Sequence, residues 1–387
     1  MIDIDDDNNF VCDVSQRGGR ELRQWLGTKL SQRQRTIGGT YVNARMLQTV
    51  TDDDMWSAAA KAHFASLEHE YRALLSADIS REALHVPGGE LSPAQAYGVQ
   101  WLLDTKSGIL ADIMGSGKTV QSCAAMQQLQ PSKILIICPL SVVHVWERHM
   151  LQWTDLPLPV VWRSSKDAFA IEQAIMNAVP VIIPWSSLRY AASPAYWGGV
   201  TRKFKSAPAT TVLSDTKFDL IIADEAHRAK DPAALQTRCF VSMTAKYKWL
   251  LTGTPIANKP MDLWSLLRIV DPLSWSSKQK FIDEWCEISH NAFGGVEVHG
   301  FKPEKRELFA ELTAHKVLRR SIEEVTSLRI AKKESQLFVD ALRAQRVAIE
   351  TLKKEWQYSD SISGRRLDAL NALMRLSMLF EIAQATP

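Results

Sequence analysis

The sequence lacks long apolar runs: no uncharged apolar stretch reaches about 18 residues, so we expect no membrane-spanning helix. It also lacks the basic start and the short apolar segment of a signal peptide, because the stretch from Asp3 to Asp7 is mostly acidic. Both absences predict a cytoplasmic protein, which would be nucleoid-associated in a prokaryote or a virus.

Cysteine is scarce and scattered. The five cysteines, Cys12, Cys123, Cys138, Cys239 and Cys286, form no C-x-x-C pair, so zinc ribbons and dithiol redox motifs lack support. The nine histidines likewise show no metal-ligand spacing. We therefore expect free thiols in a reducing compartment and no zinc site.

Neither sign of charge dominates, since 46 Lys and Arg residues face 43 Asp and Glu residues for a net charge of +3. The overall charge therefore neither favours nor excludes a nucleic-acid partner. Hydrophobic residues make up 46% of the chain, which is enough for a packed core and excludes wholesale disorder. The length of 387 residues predicts two or three domains.

Three regions separate along the chain: an accessory, mainly helical region over 1–88, a central region over 89–325 and a helical region over 326–387. Between Arg17 and Arg45 lie seven basic residues and a single acidic one, which form either a solvated helical face or a phosphate-contacting arm. Asp52, Asp53 and Asp54 predict the start of a helix, because apolar residues then recur every three or four positions up to Leu74.

Short apolar runs alternate with helical patterns in the central region. Such runs predict strands of a parallel sheet covered by helices on both faces, an α/β fold whose ligands bind beyond the carboxyl ends of the strands. The predicted strands are Gly108–Ala111, Ile134–Cys138, Val160–Trp162, Val179–Ile183, Leu220–Ala223 and Trp249–Leu251.

A glycine-containing loop follows the first of these strands. Gly115 and Gly117 allow consecutive backbone N–H groups to point inward and form an anion nest. Lys118 would then reach the β and γ phosphates of a nucleotide, and the Thr119 hydroxyl would bind Mg²⁺. A chance turn is the alternative, because the strict G-x-x-x-x-G-K-[ST] pattern requires glycine where Asp112 stands.

Two further strands end in polar residues. Asp224 is suited to hold Mg²⁺ through water and Glu225 to activate an attacking water as general base, whereas the alternative is an exposed acidic turn. His227 is either a structural histidine or a residue that couples the nucleotide to motion. Thr252, Gly253 and Thr254 are suited to contact the acidic pair and relay the state of the γ-phosphate, or they form an ordinary turn.

Together these motifs resemble the SWI/SNF-type branch of superfamily-two helicase-like ATPases, over residues 90–325. Ala111 to Thr119 is similar to the family's A-D-E-M-G-L-G-K-T, with Ile113 and Ser116 as departures, and Leu91 to Leu102 resembles its opening L-x-P-x-Q … G-V-x-W-L. The resemblance implies a RecA-like P-loop NTPase lobe with a DEAH box and with ATP and Mg²⁺ as cofactors. It also implies that the nucleotide is bound by Gln95, which would read adenine, and by Asp112, Met114, Gly115, Ser116, Gly117, Lys118 and Thr119.

The same resemblance implies double-stranded DNA as the partner, tracked along its backbone. The DNA-contacting motifs of the family are matched around Ser141 and Trp146, around Ser186 and Arg189 with Trp185 where tyrosine is usual, and at Asn258. Arg202 and Lys203 lie in a long segment that is either a DNA-contacting loop or a solvated one. Val317 to Arg320 resembles the L-R-R that closes the first lobe.

A second RecA-like lobe, with a Q-x-x-x-R-x-x-R motif and an arginine finger, is not found, although 326–387 resembles its lead-in. We therefore expect this chain alone to bind ATP·Mg²⁺ with weak or no turnover, the second lobe acting in trans or from further sequence. Two alternatives stay open: a non-catalytic, nucleotide-gated DNA-binding or scaffold module, and one half of a split motor. A small-molecule P-loop kinase is disfavoured, because Thr252 to Leu267 would have no role in it.

Overall fold

The computed structural model describes residues 2–13, 22, 25–26, 34–76, 86–192, 211–254, 260–290 and 296–325. All of them belong to the first of two units into which the chain divides, Met1–Leu328. No helix among these residues is long and apolar enough to cross a membrane. The helical interpretation of 326–387 lies outside the described residues and stays a prediction.

Twelve strands form three sheets in the described part of the chain. The strands are β1 Ile2–Ile4, β2 Phe10–Asp13, β3 Gln34–Ile37, β4 Ser107–Leu110, β5 Ile134–Cys138, β6 Val160–Val161, β7 Val181–Pro184, β8 Lys217–Asp224, β9 Thr244–Leu251, β10 Cys286–His290, β11 Val296–Phe301 and β12 Val317–Leu318.

The central sheet has seven strands in the order β12-β4-β9-β8-β5-β7-β6, and every neighbouring pair is parallel. The six predicted strands are all present in it, so the expected α/β fold is confirmed. The two-residue edge strand β12 was not among the predicted strands.

The middle of the sheet is buried on both faces, which is why strand β5 is apolar at every position. All five residues of β5 are buried. Leu135 and Ile137 pack into one hydrophobic cluster, and Ile136 and Cys138 pack into another on the opposite face. Successive side chains of a strand point to opposite faces, so a doubly covered strand needs apolar residues at both parities.

Thirteen helices are described, and those of the central region cover the two faces of the seven-stranded sheet. The face of Ile136 is covered by α3, α4 and α5, and the face of Ile137 chiefly by α6, α9, α10, α11 and α12. The helices are α1 Tyr41–Gln48, α2 Ala58–Ser76, α3 Pro93–Thr105, α4 Lys118–Leu129, α5 Val143–Trp153, α6 Ala168–Met176, α7 Leu188–Ala191, α8 Val212–Asp215, α9 Leu235–Ser242, α10 Pro260–Val270, α11 Lys278–Trp285, α12 Arg306–Thr313 and α13 Ile322–Val325.

The accessory region contains a sheet that the sequence pattern did not indicate. β1, β2 and β3 form an antiparallel sheet, in addition to helices α1 and α2. The predicted long helix is present, but its start was placed too early, because Asp53–Met55 form a separate 3₁₀ turn. The helix begins at Ala58, where the Ser57 hydroxyl accepts a hydrogen bond from the N–H of Ala60 at 3.0 Å.

This region packs directly against the central one. The rings of Tyr41 and Tyr71 stack with centroids 4.2 Å apart. The Tyr41 hydroxyl donates to Oε1 of Glu311 on α12 at 3.1 Å, and the Tyr71 hydroxyl donates to the Glu311 carbonyl oxygen. Because both tyrosines belong to the same hydrophobic cluster as the sheet, the two regions share one core.

Candidate active site at the carboxyl edge of the sheet

The sheet places three of the predicted motifs together at the carboxyl ends of its strands. Leu251 at the end of β9 pairs with Leu110 at the end of β4 on one side and with Asp224 at the end of β8 on the other. The strands are parallel, so the glycine loop after β4, the acidic pair at the end of β8 and Thr252 after β9 leave the sheet at the same edge. The structure therefore gathers the residues that the sequence separates by more than a hundred positions.

The glycine loop has the backbone that an anion nest requires. Gly115 and Gly117 have φ of 83° and 77°, in the left-handed region that favours glycine, and Gly117 precedes the first residue of α4. The Lys118 ammonium donates to the carbonyl oxygens of Asp112 at 2.8 Å and Ile113 at 3.0 Å, and burial lowers its pKa. A cation thus lies over the loop beside the N-terminus of a helix, where an anion is favoured.

Asp112 was predicted to bind the nucleotide, but its carboxylate contacts a different group in the structure. Its carboxylate is fully buried, and Arg320 donates to it from Nε to Oδ1 at 3.0 Å and from Nη2 to Oδ2 at 2.5 Å. The carboxylate therefore anchors the loop from behind. Arg320 was missed as a site residue, although the L-R-R match at 318–320 was the signal that could have indicated it.

Gln95 lies against the loop at the start of α3. Its Oε1 accepts from the N–H of Ser92 at 3.0 Å while the Ser92 hydroxyl accepts from the N–H of Gln95 at 3.2 Å, a capping box. A Cβ atom on Gly117 would stand 2.6 Å from Nε2 of Gln95. Glycine is therefore required at 117 both for its φ and for this contact.

The other loop residues differ in their exposure. Met114 is 61% exposed, and a Cβ on Gly253 would stand 2.8 Å from its Cγ, so the loop touches the turn after β9. Ser116 is only 5% exposed and its hydroxyl has no hydrogen-bond partner. Thr119 is half-buried in the first turn of α4.

His227 links the acidic pair at the end of β8 to the turn after β9. Nδ1 of His227 lies 3.1 Å from Oε2 of Glu225 and 3.3 Å from the hydroxyl oxygen of Thr252. The same Thr252 oxygen accepts from the N–H of Thr254 at 3.2 Å. Oε2 of Glu225 is buried, and Nδ1 of His227 is the polar atom that lies against it.

Glu225 also has a strained backbone. Its φ is 49°, in the left-handed region that a residue with a Cβ adopts at a cost of about 1–2 kcal/mol. Strain of this kind concentrates at functional sites, where the surrounding structure imposes it. The turn directs the glutamate away from the strand that ends at Asp224.

Asp224 is held by hydrogen bonds from three sides. Its Oδ2 accepts from the indole N–H of Trp146 at 2.9 Å, and its Oδ1 accepts from the N–H of Glu225 at 2.9 Å. Its carbonyl oxygen accepts from the indole N–H of Trp185 at 2.7 Å. Burial raises the pKa of the carboxyl group. A cation beside this carboxylate would offset that burial.

The predicted DNA contacts divide into three groups. Ser141, Ser186 and Arg189 are exposed in the segments that follow β5 and β7, and the Arg189 guanidinium lies 4.7 Å from the centroid of the Tyr190 ring. The prediction for Trp146 is wrong as a direct contact, because its side chain is fully buried and turned toward Asp224. Arg202, Lys203 and Asn258 lie outside the described residues.

The donor set fits magnesium better than zinc. Within the described residues, no cluster of three or more His, Cys, Asp and Glu side chains could hold a metal ion. The five cysteines are free and buried. If the Thr119 hydroxyl and the Asp224 carboxylate held Mg²⁺, water and phosphate oxygens would fill its remaining coordination positions, and Mg²⁺ accepts such ligands.

A parallel sheet that carries a phosphate-type loop and an acidic pair on one edge defines a RecA-like P-loop NTPase lobe. The SNF2-related domain model matches residues 94–382, and the chain belongs to that family. The resemblance inferred from the motifs is thereby confirmed.

Two of the relatives are eukaryotic proteins. The chain is 29% identical over 252 residues to the transcription regulatory protein SNF2 of Saccharomyces cerevisiae, covering 62% of this chain and 14% of that protein. It is 30% identical over 301 residues to the protein CHROMATIN REMODELING 5 of Arabidopsis thaliana, covering 74% of this chain and 16% of that protein. The chain thus spans less than a fifth of the length of either relative.

Among solved structures, the SWI2/SNF2 ATPase core of Sulfolobus solfataricus in complex with double-stranded DNA is similar at 23% identity. The alignment has a TM-score of 0.47 and covers 77% of this chain and 60% of that one.

Proposed function

We propose that this chain is the ATP-binding lobe of a DNA-dependent ATPase that moves along double-stranded DNA and remodels protein–DNA complexes or branched DNA. The observation that carries the proposal is the register of Leu251, which brings the glycine loop and the Asp224–Glu225 pair to one edge. Family membership adds independent support.

The chain's own residues bind the triphosphate. Lys118 would exchange the two carbonyl oxygens that it contacts for phosphate oxygens of the nucleotide. Thr119 and Asp224 hold Mg²⁺, which neutralises part of the phosphate charge when bound. Gln95 is proposed to read the adenine, since it borders the loop at Gly117.

Glu225 activates the attacking water. A general base needs an oxygen that can accept a proton, and the buried Oε2 of Glu225 is a carboxylate oxygen contacted by Nδ1 of His227 at 3.1 Å. His227 lies between this oxygen and Thr252, so a change at the γ-phosphate would pass to the turn after β9. Thr252, Gly253 and Thr254 are therefore proposed as coupling residues.

Duplex DNA is the proposed partner. Ser141, Ser186 and Arg189 are exposed near the edge that carries the nucleotide site, and hydroxyl and guanidinium groups suit phosphate contacts that carry no sequence information. Arg202, Lys203 and Asn258 are proposed to join them. We also propose a cytoplasmic location, associated with the nucleoid if the protein is prokaryotic or viral.

We propose that turnover by this chain alone is weak. No Q-x-x-x-R-x-x-R motif follows the motifs of the first lobe in the sequence, and an arginine finger contributes about 10³–10⁵-fold to phosphoryl transfer in enzymes that use one. A second RecA-like lobe, in trans or in the same polypeptide, would supply that charge. Without it, binding of the nucleotide is the property to measure.

Titration calorimetry with ATP and Mg²⁺ tests the proposal, with an ATPase assay in the presence and absence of duplex DNA. Wild-type protein should bind MgATP, Lys118→Ala should lose most of the affinity, and Glu225→Gln should keep it. A folded wild-type protein that binds no magnesium nucleotide overturns the proposal. Strong DNA-stimulated turnover by this chain would reject the part that concerns weak activity.

A further inference from the structure

Two buried tryptophans hold Asp224 from different elements. The indole of Trp146 is fully buried and donates to Oδ2 of the carboxylate at 2.9 Å. The indole of Trp185 is 1% exposed and donates to the carbonyl oxygen of the same residue at 2.7 Å. One residue at the end of β8 is thus fixed through its side chain and its backbone by two rigid aromatic donors.

Each tryptophan belongs to a segment that also has an exposed face. Trp185 opens the 3₁₀ turn Trp185–Ser187 directly after β7, and Ser186 beside it is exposed. Trp146 lies in the first turn of α5, which follows the 3₁₀ turn Leu140–Val142 with its exposed Ser141. Each segment therefore presents a hydroxyl to solvent and an indole N–H to Asp224.

The sheet places these segments next to each other. β5 lies between β8 and β7, and its register pairs Ile137 with Ala223 and Cys138 with Pro184. The ends of the three strands are therefore level, and the two turns lie side by side on the same side of the end of β8. A partner that contacts both exposed faces would press on both indole donors at once.

The packing makes the two indoles suitable for transmitting a displacement. The Trp185 ring packs edge-on against Phe240 with centroids 5.4 Å apart, and Trp146 belongs to the buried cluster on the other face of the sheet. A ring enclosed in this way moves with its backbone, since close-packed interiors transmit strain. A hydrogen bond to a charged group is stronger than one between neutral groups, so its geometry matters to the carboxylate.

We propose that Trp146 and Trp185 are positioning residues that couple occupancy of the two exposed turns by a DNA backbone to the magnesium-holding Asp224. This inference rests on the proposed function. It assigns the tryptophans a role between the two ligands, since neither indole is exposed enough to touch DNA.

The test measures thermodynamic coupling and needs no turnover. The affinity of the protein for MgATP is measured with and without a short duplex of mixed sequence, together with the Mg²⁺ concentration that half-saturates ATP binding. Binding free energies are reciprocal between two coupled sites, so the affinity for duplex is measured with and without MgATP as a check. In the wild type we expect a change of about fivefold or more.

Trp146→Phe and Trp185→Phe keep an aromatic ring and remove the N–H. We expect both to lose most of the coupling, and Trp146→Phe to raise the Mg²⁺ requirement about tenfold, as loss of a hydrogen bond to a metal-binding residue typically does. Trp249→Phe is the matched control, because Trp249 is equally buried but donates to the carbonyl oxygen of Leu102 at 3.1 Å. Trp249→Phe should lower the stability of the protein but keep the wild-type coupling and the wild-type Mg²⁺ requirement.

The outcomes separate this inference from the proposed function. A wild type that binds no MgATP defeats the proposed function itself. A wild type that binds MgATP and duplex without coupling, or tryptophan variants that match Trp249→Phe in coupling and Mg²⁺ requirement, overturns the positioning role alone. Loss of coupling in both variants and its retention in the control supports the role.

Discussion

Arg320 and Asp112 form a buried ion pair in which two guanidinium nitrogens meet the two carboxylate oxygens, although the residues are 208 positions apart. The arginine also donates from Nη1 to the carbonyl oxygen of Ala94 at 2.6 Å and from Nη2 to Oε1 of Gln121 at 3.2 Å. One side chain after β12 thus ties the glycine loop to the starts of α3 and α4. The loop owes its position to a residue near the far end of the described chain.

Arg320→Ala should lower the free energy of unfolding by about 3–5 kcal/mol, because it leaves the buried Asp112 charge unpaired. The double variant Asp112→Asn, Arg320→Ala should recover part of that loss. Urea unfolding measures both values, and Arg319→Ala at the exposed neighbouring position is the control. A loss no larger than that of the control would contradict the anchoring role.

Substitutions at Glu225 should reveal the strain in its backbone. Because φ is 49°, Glu225→Gly should be more stable than Glu225→Ala by about 1 kcal/mol, since glycine adopts this conformation without steric cost. Thermal unfolding of the two variants measures the difference. Equal stability would mean that the left-handed turn is not imposed by the fold.

His315 predicts a pH dependence of stability. Its imidazole packs edge-on against Tyr71 at 5.0 Å, and burial lowers its pKa to about 3. Between the usual value of about 6.5 and this value the unfolded chain binds more protons than the folded one, so stability falls as the pH drops through that interval. We expect wild type to lose about 1–2 kcal/mol more than His315→Phe between pH 7 and pH 5.

Urea unfolding at the two pH values measures the His315 effect. His69→Phe, at an exposed position of α2, is the matched control and should leave the wild-type pH dependence unchanged. If His315→Phe and wild type lose the same stability on acidification, the histidine does not carry the effect.

The same substitution should change the free energy of unfolding differently at two buried threonines. Thr252→Val removes an oxygen that accepts from Thr254 and contacts His227, so we expect a loss of about 1–3 kcal/mol. Thr237→Val removes a buried hydroxyl without a hydrogen-bond partner and should be neutral or stabilising. Urea unfolding of both variants decides, and equal losses would show that the His227–Thr252 contact adds nothing to stability.

The sequence was most informative where one requirement governs a whole segment. A strand covered on both faces must be apolar throughout, so Ile134–Cys138 was predicted with its observed bounds. Glycine at 115 and 117 similarly indicated left-handed backbone before any coordinates. The strands β1, β2 and β3 contain polar residues and lack the continuous apolar runs that identified the strands of the central sheet.

The errors at the site have a physical cause as well. Trp146 was placed on DNA because of the motif around it, but Val143, Trp146 and Met150 recur at helical spacing and are the buried face of α5. That periodicity was present in the sequence and indicates an inward side chain. The partner of Asp112 could not be found in this way, because nothing local specifies a contact across 208 residues.

The contacts of Tyr41 and Tyr71 with Glu311 have a consequence for the design of truncated versions of the protein. A version that begins at residue 89, just before the first recognisable motif, would strip the aromatic cover from α12 and leave its apolar side open to water. We expect such a protein to fold poorly and to aggregate, since exposed apolar patches favour aggregation. The smallest well-behaved piece should therefore start well upstream of the ATPase signature.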